Sequence, residues 1–142
     1  MEERRERLPP SAQMKLKIIA AFFDVLRIIV GGLFFALGLM IWVASFFTIV
    51  GVVVGIPLGV AISMFGSVFS VIISAIAHGV TGWIYHSHGV TLLDRGGSKF
   101  ILRILFQIFS FIPFLPWTYI SVGLVIRAVE KEDREYNESR GL

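Results

Sequence analysis

The apolar positions of this chain form three long segments, the first two adjoining without a polar break and the third set off by the polar stretch 86–99. From Ile28 to Leu93 there is no Lys, Arg, Asp or Glu. A soluble core could not leave such a run uncharged without exposing much of it to water. A membrane-spanning helix needs about 20 apolar residues, so the run supplies two spans, near 28–48 and 58–85. A third apolar segment, 100–126, carries "FIPFLPW" in its middle. Pro113 and Pro116 break it there, because proline removes a helical hydrogen bond and restricts the residue before it. The pattern predicts an all-α integral membrane protein. It has an N-terminal amphipathic helix, an antiparallel transmembrane hairpin, and a third, proline-broken hydrophobic segment that is either re-entrant or a kinked span.

The flanks divide the chain further. Residues 1–10 read as a flexible polar tail, 11–127 as one membrane domain and 128–142 as a polar C-terminal helix or tail. Ser11 is placed to cap a helix starting at Ala12. Met14, Ile18, Phe22 and Val25 then form a stripe at helical period, suited either to the membrane surface or to the foot of the first span. In the tail, Glu130–Arg134 and Lys131–Glu135 are four apart and suit a solvated helix.

Small residues recur with helical spacing inside the spans. Gly31, Gly38 and Ser45 are seven apart; Gly51, Gly55 and Gly59 are four apart, with Pro57 among them. The turn between the two spans is expected at 51–57; the alternative keeps this stretch helical, with its glycines as a packing face. Gly59, Ser63, Gly66, Ser70, Ser74 and His78 share one face of the second span. Small faces let helices approach closely in lipid, so these residues read as helix-packing seams. More small surface is present than one hairpin must bury, which predicts a homo-oligomer or a place in a larger membrane complex. The alternative is that the Ser/His face lines a water-filled path. Arg103, Gln107 and Ser110 make a second polar line on the third segment.

Charge then orients the chain. The hydrophobic fraction is 56% and the charged fraction 16%, against about 25% charged in soluble domains. The net charge of +3 is too small, and its bases too dispersed, for a nucleic-acid face. Lys15, Lys17, Arg27, Arg95, Lys99, Arg103 and Arg127 are expected to meet lipid headgroups. Their distribution places the N-terminus and the 86–99 loop on the cytoplasmic side and the first turn outside. Asp24 and Arg27 are three apart and pair with each other or with headgroups.

Candidate chemistry is sparse. There is no cysteine. His78 and His86 on one helix would lie about 12 Å apart at 1.5 Å per residue, too far to share a metal ion with bonds near 2 Å. His86 and His88 could ligate only with further donors. His78 is expected either to bond a backbone carbonyl within a seam or to end a hydroxyl-lined path. No nucleophile–base pair, Walker loop or zinc-protease motif is present, so no enzyme activity, cofactor or resident metal is expected. The sequence therefore predicts a small, oligomeric, non-enzymatic membrane scaffold or accessory subunit, whose copies join through the Gly/Ser helix-packing seams. The alternatives are an oligomeric pore or transport element, including a holin-like one, and more weakly a membrane-shaping hairpin.

Overall fold

The computed structural model describes residues 4–92 and 98–142. Four helices make up the described chain, with no strand among those residues. Helix α1 is the continuous run Pro10–Phe47 and α2 the run Gly51–Ser87. Helices α3 (Ser98–Phe109) and α4 (Trp117–Ser139) follow. Both α1 and α2 are long and apolar enough to cross a membrane. At 1.5 Å per residue, each is about 55 Å long.

The two long helices run side by side in opposite directions on a glycine seam. A Cβ on Gly59 would lie 2.6 Å from the Gly38 carbonyl oxygen and 2.6 Å from the Trp42 nitrogen. One on Gly66 would lie 2.6 Å from the Gly31 carbonyl oxygen and 2.7 Å from the Phe35 nitrogen. The seam thus holds two glycine–glycine crossings, seven residues apart on each helix. Only hydrogen at these positions allows the backbones to meet. Ser63 adds a bond across it, its hydroxyl donating to the Phe35 carbonyl at 3.2 Å.

The turn between α1 and α2 lies at Thr48, not at 51–57. Thr48 is extended, with φ −140° and ψ 146°. Its hydroxyl oxygen accepts the Gly51 N–H at 2.9 Å, and its carbonyl accepts the Val52 N–H at 3.0 Å. Threonine thereby caps the next helix. Gly51–Gly55 is already helical, wound as a wider π-turn. Pro57 follows directly on that π-turn, where the winding changes to α and a missing N–H is accommodated. Gly55 packs on Ser45 across the tip.

At the other end of α2, Gly89 takes φ +69°. The Val90 N–H bonds the Tyr85 carbonyl and the Gly89 N–H bonds the His86 carbonyl, the paired closure of a glycine-stopped helix. Val90 is thereby turned into the core.

Helices α3 and α4 fold against each other around the proline break. Trp117 stacks on Phe109 at 5.4 Å and tilts against Phe106 at 5.9 Å. Lys99, at the start of α3, pairs with Glu132 on α4. Both ends of the third segment therefore lie together, with its turn at the far end.

The main hydrophobic core is the junction of α1, α4 and the end of α2. Ala12, Leu16 and Ala20 meet Val122, Val125 and Val129, with Tyr85 beside them. This buried face of α1 is not the sequence stripe. Met14, Ile18, Phe22 and Val25 all point outward.

The helix begins at Pro10, with Pro9 rather than Ser11 before it. Proline is favoured at that first position because its absent N–H would be unpaired anyway. The described part of the expected tail is strapped to α4. The Arg7 side chain bonds Asp133 at 2.7 Å and Glu132 at 2.8 Å, Arg5 exchanges bonds with Asn137, and Leu8 is buried. Burial works against the Arg7 charge, but the bonds to Glu132 and Asp133 outweigh it and raise its pKa.

Candidate functional site

Two polar lines of the sequence meet face to face between α2 and α3. The Ser70 hydroxyl donates to the Ser110 carbonyl at 2.7 Å. One turn on, the Ser74 hydroxyl donates to the Gln107 amide oxygen at 3.2 Å, and the Gln107 amide nitrogen donates to the Val71 carbonyl at 3.1 Å. A further turn on, the Arg103 guanidinium bonds the His78 carbonyl and reaches the Thr81 hydroxyl at 3.3 Å. Steps of four on α2 match steps of three and four on α3, so successive pairs stay in register. The result is a polar zipper between two otherwise oily helices.

Arg103 closes the zipper. Its guanidinium carbon lies 5.6 Å from the centre of the Tyr85 ring. It lies over Gly82, where a Cβ would be 2.9 Å from it. No carboxylate lies within ion-pair distance of it among the described residues.

His78 belongs to the same cluster. Its Nδ1 is 2.8 Å from the Ser74 carbonyl, so Nδ1 carries the proton and donates. Its Nε2 is buried without a partner. An open groove of about 380 Å³ lies here between α2, with Ala75, His78 and Gly79, and α3, with Phe100, Arg103, Ile104 and Gln107.

A second cluster joins α1 to the proline turn. The Asp24 carboxylate accepts the backbone N–H groups of Thr118 at 3.2 Å and Tyr119 at 2.7 Å. It therefore caps α4 from another helix, where a negative charge is favoured. Arg27 pairs with Asp24 at 3.2 Å and donates to the Leu115 carbonyl. Both side chains are buried. Sequence spacing indicated the Asp24–Arg27 pair but not its target, because the N-terminus of α4 is ninety residues away along the chain. The signal was available: proline precedes Trp117, and a buried helix start needs acceptors.

The remaining sites fall as follows. Gly31, Gly38, Ser45, Gly55, Gly59, Ser63 and Gly66 pack within the chain, between α1 and α2. Gly51 lies in the turn, against Thr48. Ser70, Ser74 and His78 face α3. The seam expected to join copies is thus filled by the chain's own helices.

Arg27 and Lys99 do not reach outward as headgroup ligands, since each is buried on an acidic partner. Lys15, Lys17 and Arg127 are exposed. Arg95 lies outside the described residues. His86 is exposed, and the His88 Nδ1 lies 2.9 Å from the Ile84 carbonyl at the helix end. No group of three His, Asp or Glu side chains converges to hold a metal ion among the described residues.

Comparison of the chain with protein-family models, with curated proteins and with solved structures finds no match in any of the three.

Proposed function

We propose that this chain is a small, non-enzymatic membrane scaffold or accessory subunit, inserted as an antiparallel helical hairpin. The observation that carries this reading is the outward surface of α1 and α2. Leu33, Met40, Val53, Met64, Phe65 and Ile72 all point out of the molecule, with no charge between Ile28 and Leu93. Such a surface, far larger than the few hundred Å² a soluble monomer exposes, suits lipid.

The aromatic residues suggest the depth. In the register of the two glycine crossings, Met14 is level with the exposed Trp83. From Met14 to Trp42 α1 rises about 42 Å at 1.5 Å per residue. A bilayer with its headgroups is about 40–45 Å thick, and tryptophans favour its two interfaces. On this reading the third segment is a re-entrant hairpin. Its proline turn sits inside the bilayer, with Pro113 buried and the Leu115 carbonyl and the Thr118 and Tyr119 N–H groups bonded to Arg27 and Asp24, as irregular backbone at that depth requires. Both termini and the 86–99 loop share the cytoplasmic side.

The scaffold would act through its outer faces, contacting lipid and either further copies or subunits of a larger complex. The inner seam would hold the hairpin rigid. Alkaline carbonate washing of membranes from cells making the chain tests the insertion. Retention in the pellet until detergent is added supports it; release by carbonate overturns it.

One observation favours a second reading, a membrane-shaping hairpin that does not cross. The large side chains at the tip are apolar and exposed, Phe47 at 85% and Ile49 at 87%. A tip of this kind would remain in the hydrocarbon rather than emerge.

A further inference from the structure

We infer that the groove at Arg103 is a binding site for the headgroup phosphate of an anionic phospholipid. The inference rests on the membrane reading above and adds a ligand, a place and a lipid class to it.

Charge is the first reason. Arg103 is half-buried between two apolar helices. Its partners are neutral: the His78 carbonyl, the Thr81 hydroxyl and the face of Tyr85. A carbonyl, a hydroxyl and a ring do not cancel a full positive charge. Among the described residues, the well-buried Arg7, Arg27 and Lys99 side chains each have a carboxylate. No carboxylate among the described residues answers Arg103, and guanidinium binds phosphate oxygens two at a time.

Shape is the second. The groove beside Arg103 is open on one side and apolar on its walls, where Ala75, Phe100 and Ile104 form a surface for hydrocarbon. Its polar side chains are those of Arg103, Gln107 and His78. A ligand with an anionic head and an oily tail matches both parts. A free anion would match only the first.

Depth is the third. Arg103 bonds the carbonyl of His78, five residues from the exposed Trp83. That is about 7 Å along the helix below an aromatic at the interface. A lipid drawn slightly inward would place its phosphate on the guanidinium and its chains along the groove.

Glycine 79 makes the site testable without disturbing the fold. It lies on the groove, and a Cβ there would meet nothing within 4 Å. Gly79→Leu therefore fills the groove without striking the backbone. Arg103→Gln removes the charge and keeps a donor.

The experiment is native mass spectrometry of the full chain in detergent, titrated with phosphatidylglycerol, phosphatidylcholine or inorganic phosphate. The expected result is one phosphatidylglycerol held per chain, at least tenfold more tightly than phosphatidylcholine. Arg103→Gln and Gly79→Leu each weaken it at least tenfold while helicity is unchanged. Arg134→Gln, on the exposed polar end, leaves it alone. Equal retention of the two lipids, or undiminished retention in Gly79→Leu, overturns the site. Inorganic phosphate binding as tightly as the lipid overturns the lipid assignment in favour of a free anion. A chain that resists carbonate extraction yet shows no lipid preference loses this site only. A chain released by carbonate loses the membrane reading itself.

Discussion

The carboxylate of Asp24 accepts the backbone N–H of Tyr119 at 2.7 Å. Through this contact the first helix holds the proline turn of the third segment in place. Arg27 completes the clamp on the Leu115 carbonyl. Removing one member of a buried ion pair strands the other and costs about 3–5 kcal/mol. Asp24→Ala should therefore lower the unfolding midpoint in detergent strongly. The Asp24→Leu/Arg27→Met double variant should recover much of the loss, because no lone charge remains. A double variant as unstable as Asp24→Ala would show that the pair is not the reason.

The glycine seam should tolerate no side chain. A leucine at Gly59 must displace the backbone of Gly38 and Trp42, and backbone cannot move aside as a rotamer can. Overpacking normally costs about 1–3 kcal/mol, and the loss should lie at or above the top of that range. Gly123→Ala is the control. It is in α4 with nothing within 4 Å of the added atom, so helix propensity should raise stability by up to about 1 kcal/mol. Urea or SDS titration of the purified variants measures both.

The zipper should show coupling between its two sides. The Ser74 hydroxyl and the Gln107 amide are 3.2 Å apart. Hydrogen bonds between membrane helices average about 0.6 kcal/mol in double-mutant cycles. Ser74→Ala, Gln107→Leu and the double variant should give a coupling of that order. Strict additivity would mean that the two side chains do not meet.

Acid should loosen the polar end. Burial acts to raise the Glu132 carboxyl, but hydrogen bonds from Lys99 and Arg7 outweigh it and hold its pKa below the ordinary 4.5. Its contribution is thus complete above about pH 4.5 and is lost as pH falls through the lower folded-state value. Glu132→Gln lacks the charge at every pH. The difference in melting temperature between wild type and Glu132→Gln should be open at pH 6 and close below pH 4.5. A difference that stays constant across this range would exclude the linkage.

Much of the helical plan was legible in the sequence because it depends on local pattern. Uncharged runs marked the two long helices, and Pro113 and Pro116 marked the break before Trp117. The lines Ser70–Ser74–His78 and Arg103–Gln107–Ser110 were each visible as helical spacings. That they face each other was not, since spacing within a helix says nothing of its neighbour.

The turn was misplaced for a related reason. Gly51 and Pro57 look like breakers, but glycine is accepted where helices touch. Proline is accepted just after the π-turn at 51–55, and Thr48 provides the cap. The outward stripe of Met14, Ile18, Phe22 and Val25 shows a further limit. Periodicity finds the oily face of a helix, and in α1 that face is the exposed one. The strap of Arg5, Arg7 and Leu8 on α4 depends on residues more than a hundred positions away, beyond any local signal.

Topology is tested most directly by single cysteines at Val53, His88 and Ser139 in a chain that has none of its own. Sealed cells or oriented vesicles are treated with a membrane-impermeant thiol reagent from each side. The expected result is labelling of His88→Cys and Ser139→Cys from the cytoplasmic side only, and of Val53→Cys from the opposite side only. Protection of Val53→Cys from both sides selects the non-crossing hairpin. Labelling of Ser139→Cys and His88→Cys from opposite sides contradicts the re-entrant third segment, and labelling of Val53→Cys from the cytoplasmic side contradicts an inserted hairpin altogether.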